Sequence, residues 1–308
     1  MRVYADFRTG AEHHNSADGA FSPAHEKIVI SAPRAVIGLA SGRGGTGKSA
    51  LAVNLAAAMA MAGRKVGLLD ADLNGPSIPG MLGIRPFRMM PMVGGIEPAG
   101  GPLGLRVMAA NLMPDGDEPP AFSFAGDEPE PAPVREPGPL EVDYSATLAT
   151  LAGQTRFGTV DLVIVDLAPG LDHLYRAIRM IEMSGVILVG HPSGWSTRLS
   201  RAAAELIGNG APPIAGLIEN MVGFNCDSCH SVRPLFPVAE LAGGPSEHPL
   251  LARLPFDPRL AVCSGHGTLF VKEYADTPLA RQITELARQV EQIALAQQPR
   301  EPLSASRF

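Results

Sequence analysis

The sequence predicts an α/β fold: a doubly wound, mostly parallel sheet with helices on both faces. Three observations predict it. Apolar runs of strand length alternate with helical stretches along the chain. The stretch Gly42-Arg43-Gly44-Gly45-Thr46-Gly47-Lys48-Ser49 fits the phosphate-binding pattern G-x-x-x-x-G-K-[ST] and stands between a strand and a helix. Acidic residues end two of the apolar runs, and ligands of parallel sheets bind beyond those ends.

The elements follow in order. Residues 1–33 are polar and mixed, and read as a flexible tail in which His13 and His14 are solvated. Ala35–Ala40 is a short buried strand. The glycine loop follows, and Ala50–Ala62 is a strong helix former closed by Gly63. In that setting the backbone N–H groups of Gly42–Ser49 converge on phosphate oxygens, with the helix N-terminus adding partial positive charge. Lys48 reaches the terminal phosphates and the Ser49 hydroxyl binds Mg²⁺.

Val66–Leu69 is a second strand, and Asp70 and Asp72 emerge from its end. Either aspartate can be a turn or cap residue; placed together beside the loop, they suit Mg²⁺ support and water activation. Leu105–Ala110 reads as a third strand. Residues 114–141 then carry eight prolines and eight acids against Arg135 alone, a net of −7. Such a segment is expected to be a disordered or extended surface insertion, either a solvated loop or a docking arm.

A helix is expected over about 143–152. Val160–Asp166 is a strand ending in an acid, the form that holds Mg²⁺ in phosphate-transferring sites. Ala168–Asp172 is a loop placed to sense a γ-phosphate. Gly185–Gly190 and Ile214–Asn220 are further strands, and Ser196–Ile207 is a helix with Ser196 as N-cap. Leu279, Ile283, Leu286, Val290 and Ile293 form an apolar stripe on a last helix over 277–296. One domain thus spans 34–297, with a tail at 298–308.

Composition bounds the function. The 45% hydrophobic and 18% charged residues of this 308-residue chain suit a globular protein. The net charge of −6 gives nucleic-acid binding no support. No apolar run reaches the roughly 18–20 residues that span a bilayer, and Met1–Asp6 lack the core of a signal peptide. A cytoplasmic protein is expected, with neither nucleic acid nor membrane as partner. The three cysteines, Cys226, Cys229 and Cys263, call for no structural disulfide in a reducing compartment. Cys263 reads as a small core residue. Cys226 and Cys229 form a C-x-x-C whose readings are an iron–sulfur cluster, a shared Zn²⁺, a redox dithiol or no metal. His230 reads as a bystander.

The loop resembles the deviant nucleotide loop of the MinD/ParA/nitrogenase-iron-protein class, K-G-G-x-G-K-[ST], with Arg43 at the place of the first lysine. Within that class the chain is similar to the Mrp/ApbC-type iron–sulfur cluster carriers. Asp70-Ala71-Asp72-Leu73-Asn74-Gly75-Pro76-Ser77 resembles their D-A-D-x-x-G-P-S. Glu219-Asn220-Met221 followed by Cys226 and Cys229 resembles E-N-M and C-x-x-C, and Leu254–Arg259 resembles L-P-x-D-P-R.

The resemblance implies an ATPase that uses ATP and Mg²⁺. Asp72, Lys48 and Arg43 are its catalytic residues, with Asp72 orienting the attacking water and Arg43 reaching across a dimer. Ser49, Asp70 and Asp166 serve Mg²⁺. Asn220 reads the adenine edge (a turn asparagine is the other reading), and Pro255 flanks the base. Two ligands per chain leave a four-ligand site half filled, which a homodimer completes. A bridging [4Fe–4S] cluster on Cys226 and Cys229, delivered to apo-proteins, is what the resemblance implies. Two features depart from the pattern: Leu171 replaces a threonine near the γ-phosphate, predicting slow or differently switched hydrolysis, and W-R-G-P is absent. The alternatives are a positioning ATPase of MinD/ParA type and a nucleotide-binding scaffold with weak hydrolysis.

Overall fold

Continuous apolar runs set the frame. In β1 (Ala35–Ala40), β2 (Val66–Ala71) and, downstream, the strand Leu162–Leu167, every residue is buried. Burial without alternation is what a strand covered on both faces requires. The computed structural model describes residues 27–30, 33–85, 91–92, 94–112, 144–192, 202–203, 205–206, 212–225, 231–235 and 248–296.

The elements continue with α1 (Lys48–Met61), α2 (Ile78–Met81), a hairpin of β3 (Pro91–Met92) with β4 (Gly95–Ile96), β5 (Ala99–Gly100) and β6 (Arg106–Ala109). Then come α3 (Tyr144–Gln154), β7 (Leu162–Leu167), α4 (Leu171–Met180), β8 (Gly185–Gly190), β9 (Ile214–Asn225), β10 (Val232–Pro234) and β11 (Leu250–Phe256). Three helices close the described chain: α5 (Pro258–His266), α6 (Phe270–Glu273) and α7 (Pro278–Ala296).

The sheet runs β10-β9-β8-β1-β7-β2-β6-β5, with β11 also paired to β9. Among the described residues, only β5 on β6 and β10 on β9 are antiparallel in it. The doubly wound, mostly parallel prediction holds, and β1 lies at its centre between β7 and β8. The register sets Asp70 beside Asp166 across β2 and β7. Parallel neighbours in register project to the same side, so the two carboxylates share one end of the sheet.

The alanine-rich α1 buries Lys48 and all residues from Ala50 to Met59. Its Asn54 donates to Ala50 O (2.8 Å) and accepts the Val271 N–H of α6 (3.1 Å), so a buried amide ties two helices together. On α7, Leu279, Ile283, Leu286 and Val290 are buried as the stripe predicts, and Ile293 packs beside them. Cys263 is buried in α5.

Three differences from the sequence reading stand out. The expected tail docks where it is described: Ile28 donates to Met180 O (2.7 Å), accepts from Glu182 N (3.0 Å), and Ile30 is buried in the core. Two isoleucines two residues apart suffice for this, inside a stretch otherwise too polar to flag. The third strand is shorter, Arg106–Ala109, and passes into a 3₁₀ turn over Ala110–Leu112. The strand expected at Ile214–Asn220 continues to Asn225 because β10 and β11 pair with its extension. Of the expected helix Ser196–Ile207, residues 202–203 and 205–206 are described and helical. The insertion over 114–141, Cys226, Cys229, His230, His13 and His14 lie outside the described residues.

Candidate functional site

The phosphate loop leaves the end of β1 and turns into α1. Gly47, the residue before that helix, has φ 78°, a left-handed conformation that costs other residues energy. A side chain there would also collide: its Cβ would lie 2.5 Å from Asn220 Nδ2. Asn220 comes from β9 and donates that amide to Thr46 O at 2.8 Å. Ser41 Oγ donates to Arg43 O at 2.9 Å, and the Gly170 N–H donates to Ser41 O at 3.0 Å. The loop is therefore gripped from β9 on one side and from the start of α4 on the other. Leu171 opens α4 and packs against the core.

Beneath the loop, Lys48 and Asp166 are 5% and 0% exposed and form a direct ion pair through Asp166 Oδ1. Asp166 Oδ2 is buried without a hydrogen-bond partner. A buried carboxylate oxygen left unsatisfied is costly, and a hydrated cation beside it satisfies it. The residues present, Ser49 on the first turn of α1 and Asp166 across from it, thus fit Mg²⁺.

Asp70 is saturated. Its Oδ1 accepts from Asp72 N (3.1 Å), and its Oδ2 from Ser77 N (2.8 Å) and Ile78 N (2.9 Å). Those bonds make Asp70 the organiser of the turn that carries Asp72. Burial pushes its carboxyl up to about 7 and Asp166 adds to the rise; the Ile78 and Asp72 N–H groups and Lys48 oppose it.

Asp72 stands half-buried beyond the strand end. Tyr144, the first residue of α3, donates its hydroxyl to Ala71 O (3.2 Å) and packs on His173 with ring centroids 4.7 Å apart. Burial, and then the Asp72 charge, push that hydroxyl up to about 12. Sequence reading missed Tyr144, which no local pattern marks. It also missed His191, although a histidine at the C-terminal end of β8 was a legible signal.

Beside Gly47 opens a largely apolar pocket of about 250 Å³, lined among others by Leu51, Met81, Asn220, Met221, Pro255 and Phe256. Met221 has φ 59°, a rare conformation for this side chain, directly after Asn220. The structure thus brings Gly42 to Ser49, Asp70, Asp72, Asp166, Asn220 and Pro255 to one end of the sheet. Among the described residues, no group of three or more His, Cys, Asp or Glu could hold a metal ion. No helix among them is long and apolar enough to cross a membrane.

The model of the NUBPL iron-transfer P-loop NTPases, a ParA-type family, matches residues 32–291. The chain belongs to this family.

Relatives of this NUBPL-type NTPase carry names of one kind. An iron-sulfur cluster carrier protein of Saccharolobus solfataricus is 31% identical over 85% of this chain and 84% of its own length. One from Methanococcus maripaludis is 32% identical over 76% and 77%. The human cytosolic Fe-S cluster assembly factor NUBP2 is 30% identical over 83% and 92%. Among solved structures, a nucleotide-binding protein of Archaeoglobus fulgidus in complex with ADP superimposes with TM-score 0.60 at 25% identity, covering 82% and 91%. The Mg-ADP complex of MinD from Pyrococcus horikoshii, at TM-score 0.58 and 21% identity over 85% and 98%, shares the fold.

Proposed function

We propose that this NUBPL-type NTPase is an ATP-binding and ATP-hydrolysing iron–sulfur cluster carrier. Two copies pair, Cys226 and Cys229 of each hold a bridging [4Fe–4S] cluster as cargo, and the cluster passes to apo-proteins in the cytoplasm. One observation carries the reading. β9 holds the phosphate loop through the Asn220 to Thr46 bond and runs on to Asn225, one residue before Cys226. The strand from Asn220 to Asn225 is five steps long, roughly 17 Å. One short strand thus links the two sites. The names of the relatives support the cargo.

The geometry supports a role for each of the site residues. The loop N–H groups and Lys48 bind the phosphates; Lys48 exchanges Asp166 for a terminal phosphate. Ser49 and Asp166 would hold Mg²⁺, which would neutralise charge on the phosphates, and Asp70 would support that corner. Asp72 orients the attacking water. Asn220 and Pro255 wall the base pocket, and Arg43 completes the phosphate contacts.

Anaerobic reconstitution with iron and sulfide tests the cargo. The wild type should take up about two irons per chain, as a shared four-iron cluster requires, and Cys226→Ala/Cys229→Ala should take up none. Equal uptake by both proteins refutes the carrier. ATP turnover should be lost in Lys48→Gln; unchanged turnover refutes the loop assignment. A scaffold with weak hydrolysis is the second reading, favoured by the apolar Leu171 packed at the start of α4. Binding of ATP with no release of phosphate would select it.

A further inference from the structure

Arg43 is an exposed residue of a glycine-rich loop, yet it is not loose. Its Nη2 lies 2.9 Å from Nδ1 of His191, 148 positions away, immediately beyond β8. The guanidinium is always charged and can only donate, so Nδ1 accepts and the ring is neutral with its proton on Nε2. One of its five N–H donors is used this way, and the side chain remains exposed. A long arginine loses rotamer freedom when it engages phosphate, and a tether made beforehand lowers that cost.

We propose that His191 is a positioning residue for the nucleotide site: its neutral imidazole sets Arg43 for the phosphates, and protonation of the ring releases it. The inference rests on the nucleotide reading of the loop. A protonated imidazole has no acceptor and brings a second positive charge against the guanidinium. Burial first, and Arg43 second, hold the ring below its usual 6.5, with the Gly45 backbone acting the other way. The nearest charged group on the adjoining strand, Glu219, pairs in register with Gly190 and is engaged by Arg253 Nε at 2.7 Å. Among these causes Arg43 is the charged one, and the release falls below pH 6.5.

The test is binding of a non-hydrolysable ATP analogue with Mg²⁺ by the full chain, by titration calorimetry from pH 8 to pH 5.5. At pH 8, His191→Leu and Arg43→Ala should each weaken binding about tenfold, the scale of one charge-assisted hydrogen bond, and the double variant little further. His191→Gln offers an amide oxygen that does not titrate. It should recover most of the affinity and, relative to wild type, bind better as pH falls below 6.5. A ¹⁵N spectrum of the free wild type at pH 8 should show His191 protonated on Nε2. Unchanged or tighter binding by His191→Leu, additive loss in the double variant, or identical pH profiles for wild type and His191→Gln would overturn the inference. Lys48→Gln separates the two readings. If it binds as wild type does, or wild type binds nothing, the nucleotide reading falls and takes this with it. If only Lys48→Gln loses binding, the positioning role alone falls.

Discussion

Lys48→Ala should cripple the stability of the free protein before it affects any ligand. Lys48 is 5% exposed and Asp166 0%, and each is the other's ionic partner. Asp70 sits beside them in register and is already pushed up to about 7. Removing the ammonium leaves a buried carboxylate facing a second one. Losing one member of a buried pair costs about 3–5 kcal/mol. Against a total stability of about 5–15 kcal/mol, that is at least about a fifth and at most all of it. Urea unfolding of the nucleotide-free protein at pH 7.5 reads the loss directly. Lys48→Ala/Asp166→Asn should regain a large part of it, because the orphaned charge is gone. The pH dependence has a definite sign. A carboxyl whose folded value is raised, as that of Asp70 is, binds its proton more tightly when folded, so Lys48→Ala should gain stability as pH falls from 7.5 towards 5. A single variant within about 1 kcal/mol of wild type, or a double variant no better than the single, would refute the reasoning.

Gly47→Ala combines a strained φ with a Cβ 2.5 Å from Asn220 Nδ2, so it should break the Asn220 to Thr46 bond, lose about 2 kcal/mol and abolish nucleotide binding; thermal melts and calorimetry check both. Asn54→Ala strips the Val271 N–H of its buried acceptor and should lower stability by about 1–3 kcal/mol in urea titrations, leaving nucleotide affinity intact. Asp257 gives an acid limb. Burial raises its carboxyl, but Arg259 outweighs that through side-chain and backbone hydrogen bonds and its charge, holding it below 3.8. Its stabilisation is full above the unfolded value of 3.8 and is lost as pH falls through the folded one; Asp257→Asn should lack that component in acid denaturation.

What was legible in the sequence was what local pattern determines. The loop, β1, β2 and β7 are written in contiguous apolar runs and a fixed glycine spacing, and the structure places each within a residue or two. The contacts that make the site work are not local. Lys48 meets Asp166 across 118 positions, Arg43 meets His191 across 148, and Asn220 meets Thr46 across 174. Each depends on the strand order β9-β8-β1-β7-β2, which no periodicity encodes. Asp70 shows the same limit. Its acidic character was visible, but the three N–H groups that occupy it come from a turn folded back over it. Ile28 and Ile30 were invisible as core because a four-residue stretch carries too few apolar positions to show a period.

The docked stretch 27–30 has a practical consequence for anyone labelling this protein. Its hydrogen bonds go to Met180 and Glu182, at the far end of α4, while the near end of that helix is Gly170, bonded to Ser41. A helix of ten residues is a rod of about 15 Å. A tag or dye fused directly ahead of Lys27 therefore sits at one end of a rod whose other end bonds the phosphate loop, and a spacer or a carboxy-terminal attachment is the cleaner choice for measuring nucleotide binding.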